Sequence, residues 1–268
     1  MTTIEEKLDL FKELLLIMDD LRVKCPWDRK QTNESLRNLT IEEVYELADA
    51  VLEKKPQEIR QELGDLLLHI VFYARIGSET GDFDIGDVIE SLNKKLVYRH
   101  PHVFGSTIVR HSEDVKKNWE ELKMREGRLV LAGVPLSLPA MIKANRIQEK
   151  VRAVGFDWEE RSQIWDKVDE ELSELKKEIE EEDQEKAESE FGDLLFSIIN
   201  AARLYNIDPE TALEKTNKKF IRRFNYLENK TLSNGKALNK MRVDEMNKIW
   251  EEAKRSLPNN EGSKERER

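Results

Sequence analysis

The sequence predicts an all-α protein built from two related helical domains, and three observations support this fold class. Apolar residues recur at alternating steps of three and four, which is the spacing of one helix face. No segment shows the strict apolar–polar alternation of a half-buried strand. An acidic motif occurs twice, with the same internal spacing, in the two halves of the 268-residue chain. We therefore expect two tandem helical units of one kind.

Three segments show the helical spacing most clearly. Their periodic apolar residues are Ile4, Leu8, Phe11, Leu15 and Met18, then Ile59, Leu63, Leu66, Ile70 and Ala74, and finally Ile164, Val168, Leu172, Leu175 and Ile179. Residues 133–139 contain a glycine and two prolines, which favour a linker. The predicted domains are therefore 1–134 and 135–256, followed by a polar, flexible tail at 257–268.

Composition and charge disfavour several classes of function. The net charge is −10, which disfavours binding along a nucleic-acid backbone. Cys25 is the single cysteine, so no intrachain disulfide can form, and a reducing cytoplasmic location is expected. The most apolar run, residues 66–74, is too short to span a bilayer. We expect a cytoplasmic protein that binds neither nucleic acid nor membrane.

The repeated motif consists of two pairs of acids in each half of the chain. The first copy contains Glu42, Glu43, Glu46, Glu62 and Asp65, and the second contains Glu170, Glu171, Glu174, Glu190 and Asp193. Glu62 follows Glu43 by 19 positions, as Glu190 follows Glu171. A single acidic pair is usually a solvated helix face, but two pairs at one fixed separation, repeated in a second copy, favour a shared site.

The spacing of the acids suggests how they converge. Residues three or four apart lie on the same face of a helix. Pro56 lies in a short connection, so the two acidic helices are expected to form an antiparallel hairpin. We expect apolar contacts to hold this hairpin together, with Val44, Leu47 and Val51 against Leu63, Leu66 and Ile70. Carboxylates without Cys or His neighbours favour Mg²⁺, with Mn²⁺ as a substitute, over Zn²⁺.

The combined pattern is similar to the signature of the MazG and all-α dUTPase-like superfamily. Glu-Glu-x-x-Glu is followed after about fifteen residues by Glu-x-x-Asp, in two copies. Cys25-Pro26-Trp27-Asp28 near the start and Gly155-Phe156-Asp157-Trp158 in the middle add to the likeness. The resemblance extends over residues 5–255. It implies tandem MazG-like domains with four-helix-bundle-type cores formed through homodimerisation.

The resemblance also implies an activity and a set of metal ligands. Family members hydrolyse nucleoside triphosphates to the monophosphate and pyrophosphate. Carried over residue by residue, the metal ligands are Glu43, Glu46, Glu62 and Asp65 in the first domain, and Glu171, Glu174, Glu190 and Asp193 in the second. The adjacent Glu42 and Glu170 are expected to orient the attacking water. A broad NTP and dNTP range, with cleansing of the nucleotide pool, is the expected role.

Cations and tryptophans follow each acidic motif in the same order. The resemblance assigns triphosphate contacts to Lys95 and Arg99, and to Lys219 and Arg223, with ordinary surface charge as the alternative. Lys186 matches a further family lysine that contacts substrate, whereas the first copy has Glu58 there. Among these cations, Lys186, Lys219 and Arg223 are also expected to assist catalysis. Trp119 and Trp250 match a tryptophan near the nucleotide, with core packing as an equally good explanation.

Two questions stay open at the level of sequence. Both quartets are complete, so either domain could be catalytic, although Lys186 favours the second. The main alternative function is a catalytically weak protein that senses nucleotides or binds partners on the same acidic helical fold. A helical scaffold without a ligand is the third possibility.

Overall fold

The structure is a computed structural model that describes residues 2–107, 111, 115, 118, 129–233, 235 and 237–257. The chain divides into two compact units, Met1–Val115 and Lys116–Arg268. The domain limits expected from the sequence, 1–134 and 135–256, stay predictions. All of the predicted tail beyond Leu257 lies outside the described residues.

The N-terminal unit is organised around one helical hairpin. Its helices are α1 (Ile4–Lys24), α2 (Asn33–Leu52), α3 (Pro56–Thr80), α4 (Ile85–Arg99) and the short α5 (Pro101–Phe104). Helices α2 and α3 make the most extensive contact, while α1 and α4 each pack on α3. Helix α3 therefore lies at the centre of this unit.

The C-terminal unit repeats this plan. Its described helices are α6 (Ala140–Ala153), α7 (Gln163–Glu180), α8 (Gln184–Leu204), α9 (Pro209–Ser233) and α10 (Val243–Ser256). Helices α7 and α8 form the hairpin, α6 and α9 pack on α8, and α10 packs on α9. Over the part of the chain that is described there is no strand, so the all-α prediction is confirmed.

The two hairpins turn in the same way. Lys54 connects α2 to α3 with a φ of 56°, and Glu182 connects α7 to α8 with a φ of 58°. A left-handed residue at the end of a helix reverses the chain within a few residues. The resulting short connections place the two acidic segments of each unit side by side.

The structure corrects the predicted packing of the first hairpin. Val44, Val51, Leu63 and Ile70 were expected between the helices, but all four are about half exposed. Glu62 and His69 are buried on α3 instead. The alternating steps of three and four identify an apolar stripe on a helix. They do not show which face of the helix is buried in the folded unit. This stripe faces outward along the hairpin.

The core of the N-terminal unit comes from three helices. Met18 of α1, Leu36 of α2, and Val71 and Phe72 of α3 form a fully buried cluster. The guanidinium carbon of Arg22 lies 5.7 Å from the centre of the Phe72 ring. Since such large side chains supply most of the burial energy of a small unit, this cluster holds α1 against the hairpin.

An ion pair at the edge of this core makes a testable contribution to stability. Arg22 donates from Nε to Glu79 Oε1 at 2.8 Å and from Nη2 to Oε2 at 2.9 Å. Hydrogen bonding from Arg22 lowers the pKa of Glu79 below its usual value. The stabilisation is therefore complete above the pKa of an unfolded glutamate, about 4.3, and is lost as pH falls through the lower folded pKa.

We expect Glu79→Gln to reduce the free energy of unfolding at neutral pH by about 1 kcal/mol, since the pair is partly exposed. The difference from the wild type should shrink as acid titrates Glu79, which urea unfolding at several pH values measures. Asp20→Asn, which removes the exposed pair with Lys24, is the matched control and should change little. A Glu79→Gln penalty that persists at low pH would contradict this account.

No described helix combines the length and the apolar character that are needed to cross a bilayer.

Candidate metal centres

The first hairpin brings acids from both of its helices together. Carboxylate oxygens of Glu43 on α2 and of Glu62 and Asp65 on α3 lie within 4.8 Å of one another. Glu46 is close enough to interact with Glu62 through charge and a hydrogen bond. Glu62 is 8% exposed, and within the described residues nothing hydrogen-bonds to its Oε2 atom. The hairpin thus gathers the four acids expected for the first site.

The second hairpin makes an equivalent cluster. Carboxylate oxygens of Glu171 and Glu174 on α7 and of Glu190 on α8 lie within 4.8 Å of one another. Asp193, one turn beyond Glu190, adds its charge to the same group. The periodicity of the sequence was sufficient to anticipate this convergence, because each pair occupies one helix face.

Electrostatics in both clusters favour a bound cation. Burial, followed by the charges of the neighbouring acids, raises the pKa of Glu62 and of Glu190 above the usual value. Burial and the charges of Asp65, Glu46 and Glu42 do the same for Glu43. Acids that repel one another in this way are stabilised in their charged form by a divalent ion.

The residues fit such an ion by their chemistry. Each cluster offers carboxylate oxygens only, which is the ligand set of hard divalent cations. The unsatisfied Oε2 of Glu62 is a buried acceptor for which a cation would supply the missing partner. Neither cluster includes a Cys or His ligand, so softer metals are disfavoured among the residues described.

The C-terminal cluster includes a cation that the sequence motif did not reveal. Lys167 lies one turn before Glu171 on α7, and its Nζ is 2.7 Å from Glu171 Oε1 and 3.1 Å from Glu170 Oε1. Hydrogen bonds to these two glutamates raise its pKa. Leu39 occupies the corresponding position before Glu43. The i, i+4 spacing of Lys167 and Glu171 was the available signal.

Lys186 lies at the start of α8 and is held by acids of its own unit. Its Nζ is 3.0 Å from Asp183 Oδ2 and 3.7 Å from Glu178 Oε2. Glu178 is buried on α7 one turn after Glu174, and its charge also acts on Glu190. Glu178 begins the Glu-rich stretch 178–185, which reads in sequence as solvated surface, yet its side chain is buried. It joins Lys186 to the cluster.

The remaining predicted substrate contacts lie on other helices. Lys95 and Arg99 are in the last turns of α4, and Lys219 and Arg223 are in the middle of α9. Within the described part of the chain, no ion pair joins Lys95, Arg99 or Lys219 to a clustered acid. The assignment of these cations to the triphosphate stays a prediction.

Of the two tryptophans predicted to lie near the nucleotide, the structure describes one. Trp250 on α10 is half-buried, and its ring centroid lies 5.1 Å from that of Phe220 on α9. Its visible role is therefore to pack α10 on α9, beside Lys219. Trp119 lies outside the described residues. Base stacking by either ring stays a prediction.

Fold and site together define a class of protein. It is all-helical, repeats one hairpin in two units, and carries in each hairpin a carboxylate cluster suited to a divalent cation.

Comparisons with known proteins identify the family within this class. The model of the MazG nucleotide pyrophosphohydrolase domain matches residues 31–104 and 160–227, which include both hairpins. The nucleoside triphosphate pyrophosphohydrolase/pyrophosphatase MazG of Thermotoga maritima is 45% identical over 252 residues, covering 91% of this chain and 96% of that protein. The nucleoside triphosphate pyrophosphohydrolase of Escherichia coli K12 is 39% identical, covering 90% and 96%. The chain belongs to the MazG nucleotide pyrophosphohydrolase family.

Proposed function

We propose that this chain hydrolyses nucleoside triphosphates to nucleoside monophosphates and pyrophosphate with the help of Mg²⁺. The observation that carries the proposal is the convergence of Glu171, Glu174 and Glu190 within 4.8 Å, with Asp193 beside them. The names of the relatives from Thermotoga maritima and Escherichia coli support the same reaction. The first cluster, made by Glu43, Glu46, Glu62 and Asp65, holds a cation by the same chemistry.

The role of the carboxylates follows from their charge and position. When bound, Mg²⁺ neutralises phosphate oxygens and lowers the pKa of a coordinated water. Mn²⁺, which prefers the same oxygen ligands, is the expected substitute. Glu171, Glu174, Glu190 and Asp193 hold the ion. We assign the orientation of water to Glu170, which shares Lys167 with Glu171, and to Glu42, whose charge acts on Glu43.

The basic residues of the C-terminal unit compensate the charge of the triphosphate. Lys167 is already at the cluster, where its ammonium group lies between Glu170 and Glu171. Lys186 on α8 forms an ion pair with Glu178 on α7, so it is held at the same helix pair. We assign Lys219 and Arg223 to the triphosphate as well, and Lys95 and Arg99 to the same task in the N-terminal unit. Charge-assisted hydrogen bonds of this kind strengthen as negative charge develops on the leaving oxygens.

The reaction can be tested by resolving the products from each NTP and dNTP, with Mg²⁺, with Mn²⁺ and with a chelator. We expect monophosphate and pyrophosphate from a broad range of bases and both sugars, and no turnover without metal. Diphosphate and phosphate would contradict the proposal. Metal-dependent nucleotide binding without turnover would favour the alternative, a nucleotide-sensing protein on the same fold.

We further propose a homodimer assembled on the exposed stripes of the two hairpins. Leu63, Leu67 and Ile70 on α3 are exposed at steps of four and three, as are Phe191, Leu195 and Ile198 on α8. A side chain added at Gly64 or at Gly192 would meet nothing within 4 Å, so each glycine leaves space beside its stripe. Apolar stripes of this kind are covered in helical bundles by another helix pair.

The dimer proposal predicts a specific change of mass. Light scattering should give twice the chain mass of 31.5 kDa for the wild type. The paired change Leu67→Glu and Leu195→Glu should give the monomer, because each glutamate would bury an uncompensated charge in the interface. Leu16→Glu with Leu213→Glu, at equally exposed positions away from the stripes, should remain dimeric. A monomeric wild type would overturn the proposal.

The proposed location and partners of the enzyme rest on the charge of the chain. A net charge of −10 disfavours nucleic acid as a partner. We propose a cytoplasmic enzyme that acts on free nucleotides and removes unwanted triphosphates from the pool.

A further inference from the structure

The two carboxylate clusters differ in the charge of the residues beside them. In the second cluster, Lys167 Nζ lies 2.7 Å from Glu171 Oε1, an oxygen of a proposed metal ligand. The same ammonium group is 3.1 Å from Glu170 Oε1. Glu171 is 6% exposed and is the most buried acid of its cluster. This carboxylate therefore already has a cationic partner before any metal binds.

Lys167 and a metal ion would compete for Glu171. A carboxylate oxygen that accepts from an ammonium group at this distance makes a charge-assisted hydrogen bond, which is stronger than a neutral one. Hydrogen bonds to Glu171 and Glu170 raise the pKa of Lys167, so it is protonated at neutral pH. A divalent cation at Glu171 must displace this ammonium group or bind beside it against the repulsion of like charges. Metal binding at the second cluster therefore carries a cost that is built into α7.

Two further lysines add positive charge to the second hairpin. Glu178 Oε1 is 3.3 Å from Lys177 Nζ, and Glu178 Oε2 is 3.7 Å from Lys186 Nζ. The charge of Glu178 acts on Glu190, a proposed ligand, so these lysines offset an acid that belongs to the cluster. The first unit has Ala50 at the position of Glu178. The second hairpin thus combines an additional acid with cations of its own.

Among the residues that the structure describes, no cation compensates the first cluster in this way. The charges that act on Glu43 and on Glu62 all come from neighbouring acids. Leu39 stands where the second unit has Lys167. Burial lowers the pKa of His69, a nearby ring on α3, which is therefore neutral at neutral pH. Repulsion among these acids is thus not offset by a neighbouring positive charge.

A buried oxygen of the first cluster adds a second, independent observation. Glu62 is 8% exposed, and within the described residues nothing hydrogen-bonds to its Oε2 atom. A buried acceptor without a donor is costly, and a divalent cation would satisfy it. In the second cluster the most buried ligand, Glu171, already accepts from Lys167. Metal binding therefore removes a larger penalty from the first cluster than from the second.

We propose that the two clusters bind divalent metal with unequal affinity: the first holds an ion in the absence of nucleotide, whereas Lys167 weakens metal binding at the second. This inference rests on the proposed function, because it takes both clusters to be metal sites. The ligand is a hard divalent cation in both cases, and the difference lies in the residue one turn before the first ligand. The second cluster is therefore loaded at a higher concentration of free metal than the first.

Binding of Mn²⁺ to the full chain without nucleotide, followed by the electron paramagnetic resonance signal of the free ion, tests the proposal. We expect a tight site and a site at least about tenfold weaker, because a charge-assisted hydrogen bond must be displaced at the second cluster. Glu62→Gln should weaken the tight site, and Glu190→Gln should weaken the other. Equal affinities in the wild type would overturn the proposal, as would a loss of the tighter site in Glu190→Gln.

Substitutions of Lys167 test its role directly. Lys167→Met keeps the length of the side chain but removes the charge, and it should tighten the weak site about tenfold. Lys167→Arg keeps the charge and should leave this site weak. Lys176→Met removes an exposed lysine of the same helix and should leave both affinities almost unchanged. An unchanged weak site in Lys167→Met would overturn the proposal.

The reverse exchange places a lysine beside the first cluster. Leu39→Lys should weaken the tight site about tenfold, whereas Leu39→Gln, which adds polarity without charge, should not. Leu39 packs against the core of its unit, so if Leu39→Lys failed to fold, Lys167→Met alone would decide. Metal binding needs no turnover. Two equal sites in an active enzyme would contradict only this inference, and unequal sites without pyrophosphate release would contradict only the proposed function.

Discussion

Replacing Glu190 by Gln is expected to reduce pyrophosphate release about 10²–10³-fold. Glu190 lies between Glu171, Glu174 and Asp193, and the amide removes one negative ligand without changing the shape of the side chain. Metal stabilisation of a phosphoryl reaction is worth several kcal/mol, and each 1.4 kcal/mol is a factor of ten. The measurement is kcat/KM for an NTP across a Mg²⁺ titration, in which high Mg²⁺ should restore part of the activity.

Two further variants make this result decisive. Glu188→Gln alters an exposed acid of the same helix outside the cluster and should leave the rate unchanged. Glu62→Gln makes the equivalent change in the N-terminal unit and should cost little activity, because Leu39 and Glu58 stand where the C-terminal unit has Lys167 and Lys186. A wild-type rate in Glu190→Gln would show that the site is misassigned. An equal loss in Glu62→Gln would show that both units catalyse the reaction.

Phe72→Ala should destabilise the N-terminal unit by about 3–5 kcal/mol, the usual cost of removing a buried aromatic ring. Phe72 is fully enclosed by Met18, Leu36 and Val71, and the cavity left behind would have few ways to collapse. Urea unfolding followed by helical circular dichroism gives the free energy. A loss below about 1 kcal/mol would contradict the packing described for this core.

The effect of Phe72→Ala should remain within its own unit. Phe104→Ala removes an exposed ring of the same unit and should change stability by less than about 0.5 kcal/mol. Pyrophosphate release by the Phe72→Ala protein should be unchanged at temperatures where the chain is folded. A loss of pyrophosphate release would show that the N-terminal unit contributes to the reaction.

The sequence predicted the helical hairpins and their acids because both follow from local rules. Periodicity places Glu43 beside Glu46 and Glu62 beside Asp65. The short connection at Pro56 then brings the two helices side by side. Because the same acids recur at the same spacing in the second half of the chain, they could be distinguished from ordinary surface charge. Family membership, expected from the same residues, is confirmed by matches to both hairpins.

The sequence could not predict which residues face the interior. Leu63 is more apolar than Glu62, yet Leu63 is exposed and Glu62 is buried among the acids of the first cluster, which reverses the usual preference. Gln148 on α6 is polar, yet it is buried, and its Nε2 donates to the Phe196 carbonyl of α8 at 2.9 Å. Contacts of this kind between helices are a tertiary property, which the spacing of residues along one helix does not show.

The residues that differ beside the two clusters, Leu39 and Glu58 against Lys167 and Lys186, also affect how metal-binding stoichiometry should be interpreted. Both units retain a complete set of acids, so a metal titration would count two clusters in each chain. A pre-steady-state burst counts only centres that accept and cleave a nucleotide. For this chain the concentration of bound metal and the concentration of active sites are therefore expected to differ. Dividing the rate by metal content would understate the turnover number of the unit that works.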